Sequence, residues 1–211
     1  MRASVKYETW YHTPRGKWIA DTEFAMMMKL ILPIKNDTIL DIGCGTGHFS
    51  RRFSREGLLV TGADINSTSL KFARKLGGGV KYTKCSAHSL PFKDGAFDHC
   101  TAITSLCFID DPQPALREML RVARRGITIG LLHKKSLLYL KKQGRSNYKN
   151  ARWSSLADLR NWLKEMERPV KIIWRTCVMM PSGTAIARRL EQSLSENIPL
   201  GGFLTAHISY M

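Results

Sequence analysis

Three glycines at alternate positions, Gly43, Gly45 and Gly47, follow an apolar run through Asp41 in the segment ILDIGCGTGHFS, residues 39–50. Without a Cβ they let a strand turn sharply into a helix, and a ligand can then lie directly against the backbone around Cys44. Asp41, at the strand end, offers a carboxylate that could accept hydrogen bonds or attract a cation. A dinucleotide loop spaces its glycines as G-x-G-x-x-G and aims a helix N-terminus at a pyrophosphate. G-x-G-x-G after an acid is a different nucleotide-type loop, one whose charged partner need not be a phosphate. Taken alone it could also be a structural turn.

Further segments follow in order. Residues 58–65 (LLVTGADI) read as a second strand ending in Asp64, with Asn66 as the N-cap of a helix. Asp64 lies about 20 residues beyond the glycine loop, the separation of an acid that grips ribose hydroxyls. Residues 85–98 (CSAHSLPFKDGAFD), 102–112 (AITSLCFIDDP) and 115–126 (ALREMLRVARRG) complete the series. With the glycine loop, these resemble the ordered motifs of the class I S-adenosylmethionine-dependent methyltransferases, over residues 37–132.

The resemblance implies S-adenosylmethionine as cofactor and S-adenosylhomocysteine as product. Gly43, Cys44 and Gly45 would pass under the methionine and ribose portions. Asp64 would accept from both ribose hydroxyls, Ile65 would pack on the adenine face, and the backbone of Ala87 would meet an adenine ring nitrogen. The family usually places an acid where Ser86 stands; a serine hydroxyl accepts the adenine amino group more weakly, and His88 could compensate. Thr104 either lines the pocket near the sulfonium or simply ends the fourth strand. The N-terminal residues 7–18 (YETWYHTPRGKW) resemble the opening of the small-molecule members related to ubiquinone and menaquinone biosynthesis. In that group the segment lids the cofactor, so Tyr7, Trp10, Tyr11 and Arg15 would close over it, Arg15 pairing with its carboxylate; Trp10 and Trp18 could equally pack on the core.

Methyl transfer asks mainly for in-line geometry and exclusion of water, and for a general base only where the acceptor is protonated. His12, His88 and His133 are candidate bases, each with a structural alternative, and Cys107 is either a polar neighbour of the acceptor or a small buried hydrophobe. The sequence assigns no catalytic residue.

The elements that must position these residues alternate. Strands are predicted at 38–42, 58–64, 80–85, 99–104, 127–132, 171–179 and 203–210, many of them continuous apolar or β-branched runs. A helix capped by Asp111, with Pro112 in its first turn, is expected to end at Gly126 and to bury Leu116, Met119, Leu120 and Ala123. A second begins near Ser155 with Asp158 completing a capping box and Leu156, Leu159, Leu163 and Met166 inward; a third spans 183–197. This pattern predicts an α/β, doubly wound, Rossmann-like sheet with helices on both faces. The resemblance makes it seven-stranded and mostly parallel, the last strand antiparallel. One domain over 1–211 is expected: an N-terminal segment 1–36, a cofactor core 37–132 and an acceptor side 133–211.

The formal net charge is +16, from 33 basic and 17 acidic residues. Between Glu118 and Asp158 stand ten lysines or arginines and no acid. Such a stretch either attracts nucleic acid, anionic lipid or an acidic small molecule, or is a solvated face. Leu137, Leu138, Tyr139 and Trp153 beside the lysines suit an amphipathic small-molecule acceptor; an RNA acceptor is the alternative. No apolar run is long enough to span a membrane, the start lacks the apolar region of a signal peptide, and five scattered cysteines without a C-x-x-C pair argue for a reducing, cytoplasmic compartment and against a zinc site. An NAD-dependent oxidoreductase and a catalytically silent cofactor-binding protein are the other readings.

Overall fold

The structure is a computed structural model that describes residues 8–145, 148–194 and 196–211; Tyr7 lies outside them. Seven strands form one sheet: β1 (Thr38–Ile42), β2 (Leu59–Asp64), β3 (Lys81–Lys84), β4 (Phe97–Ile103), β5 (Ala123–Leu132), β6 (Val170–Cys177) and β7 (Phe203–Tyr210), in the order β3-β2-β1-β4-β5-β7-β6. The first five pair in parallel, and β7 inserts antiparallel between β5 and β6. The expected sheet is therefore present, with the strand ends within a few residues of those predicted.

Helices cover both faces because alternate strand residues point to opposite sides. Ile39 packs with Ile19, Phe24 and Met27 of α1 (Pro14–Ile31) and Phe49 and Phe53 of α2 (His48–Arg55). Its neighbour Leu40 packs on the other face with Leu116, Met119 and Leu120 of α4 (Pro112–Val122) and Leu159 of α6 (Leu156–Trp162). The remaining helices are α3 (Ser67–Lys75), α5 (Leu137–Lys142) and α7 (Ala185–Ser193). Local chemistry fixes the starts: Asn66 caps α3, Asp111 caps α4 with Pro112 behind it, and Ser155 and Asp158 form a reciprocal capping box on α6.

One helix end differs from expectation. The helix after Asp111 stops at Val122, and Ala123 already belongs to β5, so Gly126 is not its cap. Gly126 has φ 132°, and a Cβ there would lie 2.6 Å from the Ile208 carbonyl oxygen. The glycine is needed for the close approach of β7 to β5, opposite an irregularity in the β4–β5 register.

Between β1 and β4 the strand order reverses. The loops leaving the carboxyl ends of β1, β2 and β4 open into the crevice this creates, the place where doubly wound sheets bind ligands.

Candidate functional site

The glycine loop is built as its spacing predicts, but its three glycines serve different neighbours. All have positive φ, 66° at Gly43, 55° at Gly45 and 75° at Gly47. A Cβ at Gly43 would lie 2.3 Å from Cβ of Ser105, and one at Gly47 would lie 2.2 Å from the Tyr82 hydroxyl. At Gly45 a Cβ would meet nothing within 4 Å among the described residues. Two glycines therefore admit protein, and the middle one faces open space.

Two carboxylates flank this loop. Asp64 accepts from the Gly45 amide at 2.8 Å and from the Asn66 amide at 2.7 Å, which ties the end of β2 to the loop after β1. Asp41 is buried and accepts from Ser50 Oγ at 2.5 Å and from Thr101 Oγ1 at 3.3 Å. Burial pushes its pKa up to about 6, against the pull of those two hydroxyls, and the nearby Asp64 charge adds to the rise.

Three cavities adjoin around Phe108, a 57% exposed side chain that lines them all. The first, about 440 Å³, is bounded by Gly43, Asp64, Ile65, Ser86, Ala87 and His88. The second, about 170 Å³, lies over Asp41, Gly43, Cys44 and Gly45, with Tyr11, His48 and Thr104 at its sides. The third, about 250 Å³, shares Tyr11 and Thr104 with the second and runs on to Arg15, Glu23, Leu138 and Tyr148. Thr104 thus stands where the second cavity meets the third, with φ 56°. The result is a trough with a polar acid at one end, a glycine floor in the middle and an aromatic chamber at the other end.

The N-terminal segment closes over the middle. Glu8 accepts from Thr46 Oγ1 and from Arg51 Nη2, both at 2.6 Å, and both residues of the Glu8–Arg51 pair are buried. Burial raises the Glu8 pKa, but hydrogen bonds with His48 and Thr46 and the Arg51 charge outweigh it and leave it below the usual value. Tyr11 stacks on His48, ring centroids 3.6 Å apart. His48 Nε2 is buried beside the second cavity without a partner among the described residues. An orphaned polar atom and a glycine floor with room above it fit a polar ligand lying on the loop.

Most of the residues singled out in the sequence come together here, with a few departures. Arg15 does not reach the glycine-loop cavity; its Nε donates to the Pro181 carbonyl at 2.7 Å, and it lines the third cavity instead. Ser86 Oγ accepts from the His88 amide at 3.2 Å, and His88 Nε2 lies 2.9 Å from the Asp111 carbonyl, so Ser86 is partly committed to a local turn and His88 to the start of α4. Of the other candidate bases, His12 is exposed, and His133 is buried on the Gly201 carbonyl outside these cavities. Cys107 is buried, accepts from the Leu132 amide, and burial pushes its thiol up to about 12. Ser105, Phe108, Glu23 and Tyr148 were not singled out in the sequence; they arrive from three separate stretches of chain, Ser105 and Phe108 from one short turn after β4.

Comparison with known proteins gives a consistent picture. A profile described as a methyltransferase domain matches residues 40–129. An uncharacterized protein of Methanocaldococcus jannaschii is 35% identical over 133 residues, 60% of this chain and 62% of that protein. The ubiquinone/menaquinone biosynthesis C-methyltransferase of Klebsiella pneumoniae is 38% identical over 101 residues, 44% of this chain and 40% of that protein. A solved structure from Thermotoga maritima, a SAM-dependent methyltransferase described as a possible histamine N-methyltransferase, superimposes with a TM-score of 0.74 at 26% identity, covering 99% of this chain and 96% of that one. The chain spans 62 to 64% of the length of relatives such as those in Methanocaldococcus jannaschii and Mycobacterium tuberculosis.

Proposed function

The chain belongs to the class I S-adenosylmethionine-dependent methyltransferases, and on that premise we propose that it binds the cofactor along the trough and transfers the methyl group to a small-molecule acceptor in the third cavity. The observation that carries this reading is the continuity of the trough. A cavity beside Asp64 leads over the open face of Gly45 to Thr104 and then into an aromatic chamber.

In this reading Asp64 takes the ribose hydroxyls, the 68% exposed Ile65 offers apolar surface to the adenine, and Ser86 and Ala87 meet its edge. Asp41 faces the amino-acid end and pairs with its ammonium group. The bound cofactor supplies an electrophilic methyl group on a sulfonium, so the chain's own work is positioning and exclusion of water. Tyr11 and Phe108 wall the junction at Thr104, where the acceptor's lone pair must arrive. Among the described residues no helix is long and apolar enough to cross a membrane.

Asp64→Ala is expected to weaken binding of S-adenosylmethionine by about 10- to 100-fold, the value of hydrogen bonds to a charged acceptor. Calorimetry on the purified variant measures it; an affinity equal to that of the wild type removes the ribose assignment. Transfer of radiolabelled methyl groups to a pool of small metabolites tests the catalytic part of the reading against a silent binding protein.

Asp41 makes the binding pH-dependent. Its pKa of about 6 in the free protein means that below that pH it carries a proton and cannot pair with a cation. Affinity for S-adenosylmethionine should therefore fall toward about tenfold per pH unit below about pH 6, one proton being released on binding. Asp41→Asn should bind more weakly at neutral pH and lose that slope; a wild-type affinity flat from pH 7 to pH 5 contradicts the assignment.

A nucleic-acid acceptor is the second reading, because Lys135, Lys141, Lys142, Arg145 and Lys149 form no ion pair among the described residues. Lys134, by contrast, is neutralised by Asp158 at 2.7 Å. RNA binding would show a log–log salt slope near −0.7 per neutralised phosphate, and a small anionic acceptor a shallow one.

A further inference from the structure

Glu23, on α1, is a carboxyl group in the wall of the third cavity, among Trp10, Ile19, Phe108, Leu138 and Val178. It makes no hydrogen bond and no ion pair among the described residues. Its neighbours on α1 behave differently: Asp21 pairs with Lys17 and Arg52, and Thr22 Oγ1 donates to the Trp18 carbonyl. A carboxyl group left without a partner in a partly apolar chamber lacks hydrogen bonds that a ligand can supply. Thr104, on the same wall, opens onto the glycine loop.

We propose that Glu23 accepts the proton of the methyl acceptor, and that the acceptor presents an N–H or O–H group on an apolar, aromatic-sized body. This rests on the methyltransferase reading above and specifies its substrate class. The acceptor's O–H bond, or an N–H bond of its ammonium form, breaks, the proton passes to a Glu23 carboxylate oxygen, and the bonding pair stays on oxygen or nitrogen. That pair then bonds the methyl carbon of S-adenosylmethionine, and the methyl–sulfur pair remains on sulfur in the thioether product. An acceptor attacked at a thioether or another group without a proton would have no use for the carboxyl.

The electrostatic setting agrees with this role. Burial pushes the Glu23 pKa up to about 8, opposed by the charge of Arg52 on α2. The other titratable groups lining its cavity are Tyr11 before α1, Arg15 on the same helix, Lys142 on α5, and Tyr148, whose hydroxyl is pushed up by burial with help from the Glu23 charge. Cys107 and Cys177 are both held protonated by burial. Glu23 is thus the group that changes charge near neutral pH, and it becomes a competent base above about pH 8.

The test uses the whole chain with two probes of similar size, phenol and toluene, in calorimetric titrations from about pH 6.5 to about pH 9, below the phenol pKa. Phenol binding to the wild type should strengthen roughly tenfold across that range as Glu23 ionises, while toluene stays constant. In Glu23→Gln the phenol step should vanish, and S-adenosylmethionine affinity should match the wild type. A phenol step that persists in Glu23→Gln, a phenol affinity independent of pH in the wild type, or no phenol binding by a protein that binds S-adenosylmethionine overturns the proposal. Failure to bind S-adenosylmethionine overturns the methyltransferase reading instead, whatever phenol does.

Discussion

Gly45→Val is expected to give a folded protein that has lost S-adenosylmethionine. A Cβ at this position meets no atom of the described residues within 4 Å, and Gly45 lines the cavity above the loop, so a side chain there excludes ligand without displacing those residues. The backbone φ of 55° adds a strain of about 1–2 kcal/mol for a residue with a Cβ, which a domain of this size tolerates. Affinity should fall steeply, because the added side chain occupies the space that lets a ligand lie directly against the backbone. Circular dichroism should show a fold like the wild type, and calorimetry no cofactor heat. Gly43→Ala should behave differently: its Cβ meets Ser105 at 2.3 Å, so the damage appears first as lost stability. If Gly45→Val binds as well as the wild type, the cofactor does not lie on this loop.

Arg51→Met should cost about 3–5 kcal/mol of stability, since it leaves the Glu8 carboxylate buried without its charge partner. It also removes the hydrogen bond from Arg51 Nη1 to the Thr46 carbonyl, on the glycine loop itself. Urea denaturation measures the loss. Glu8→Gln with Arg51→Met should recover part of it, because the unpaired charge is then gone. Hydrogen exchange of residues 8–18 should quicken in the single variant, since the pair fastens that segment over the loop. Exchange there that is unchanged, with stability within a few tenths of a kcal/mol of the wild type, contradicts the fastening role.

Much of this architecture was legible in the chain. The glycine loop and the strand ending in Asp64 are local signals, and the bounds of β1 and β7 fall at the predicted residues. Helix caps at Asn66, Asp111 and Ser155 are also local chemistry, carried by side chains next to the groups they satisfy. Gly126 misled because a glycine after a helical stripe reads as a cap, whereas its reason for being is the approach of β7, some 80 residues later in the chain. The Arg15 contact was hidden for a related reason: the Pro181 carbonyl that its Nε meets lies far along the chain. Glu23 and the Glu8–Arg51 pair left no trace in the sequence pattern. An unpartnered carboxyl is a property of the cavity around it, and only the packing of α1 against the loop after β4 and against Tyr148 creates that cavity.

Titration of the purified chain with S-adenosylmethionine and, separately, with NAD tests the central claim most directly. The account predicts saturable heat with one S-adenosylmethionine per chain, lost in Gly45→Val and weakened in Asp64→Ala, and no heat with NAD. Binding of NAD, or S-adenosylmethionine binding untouched by either substitution, would contradict it.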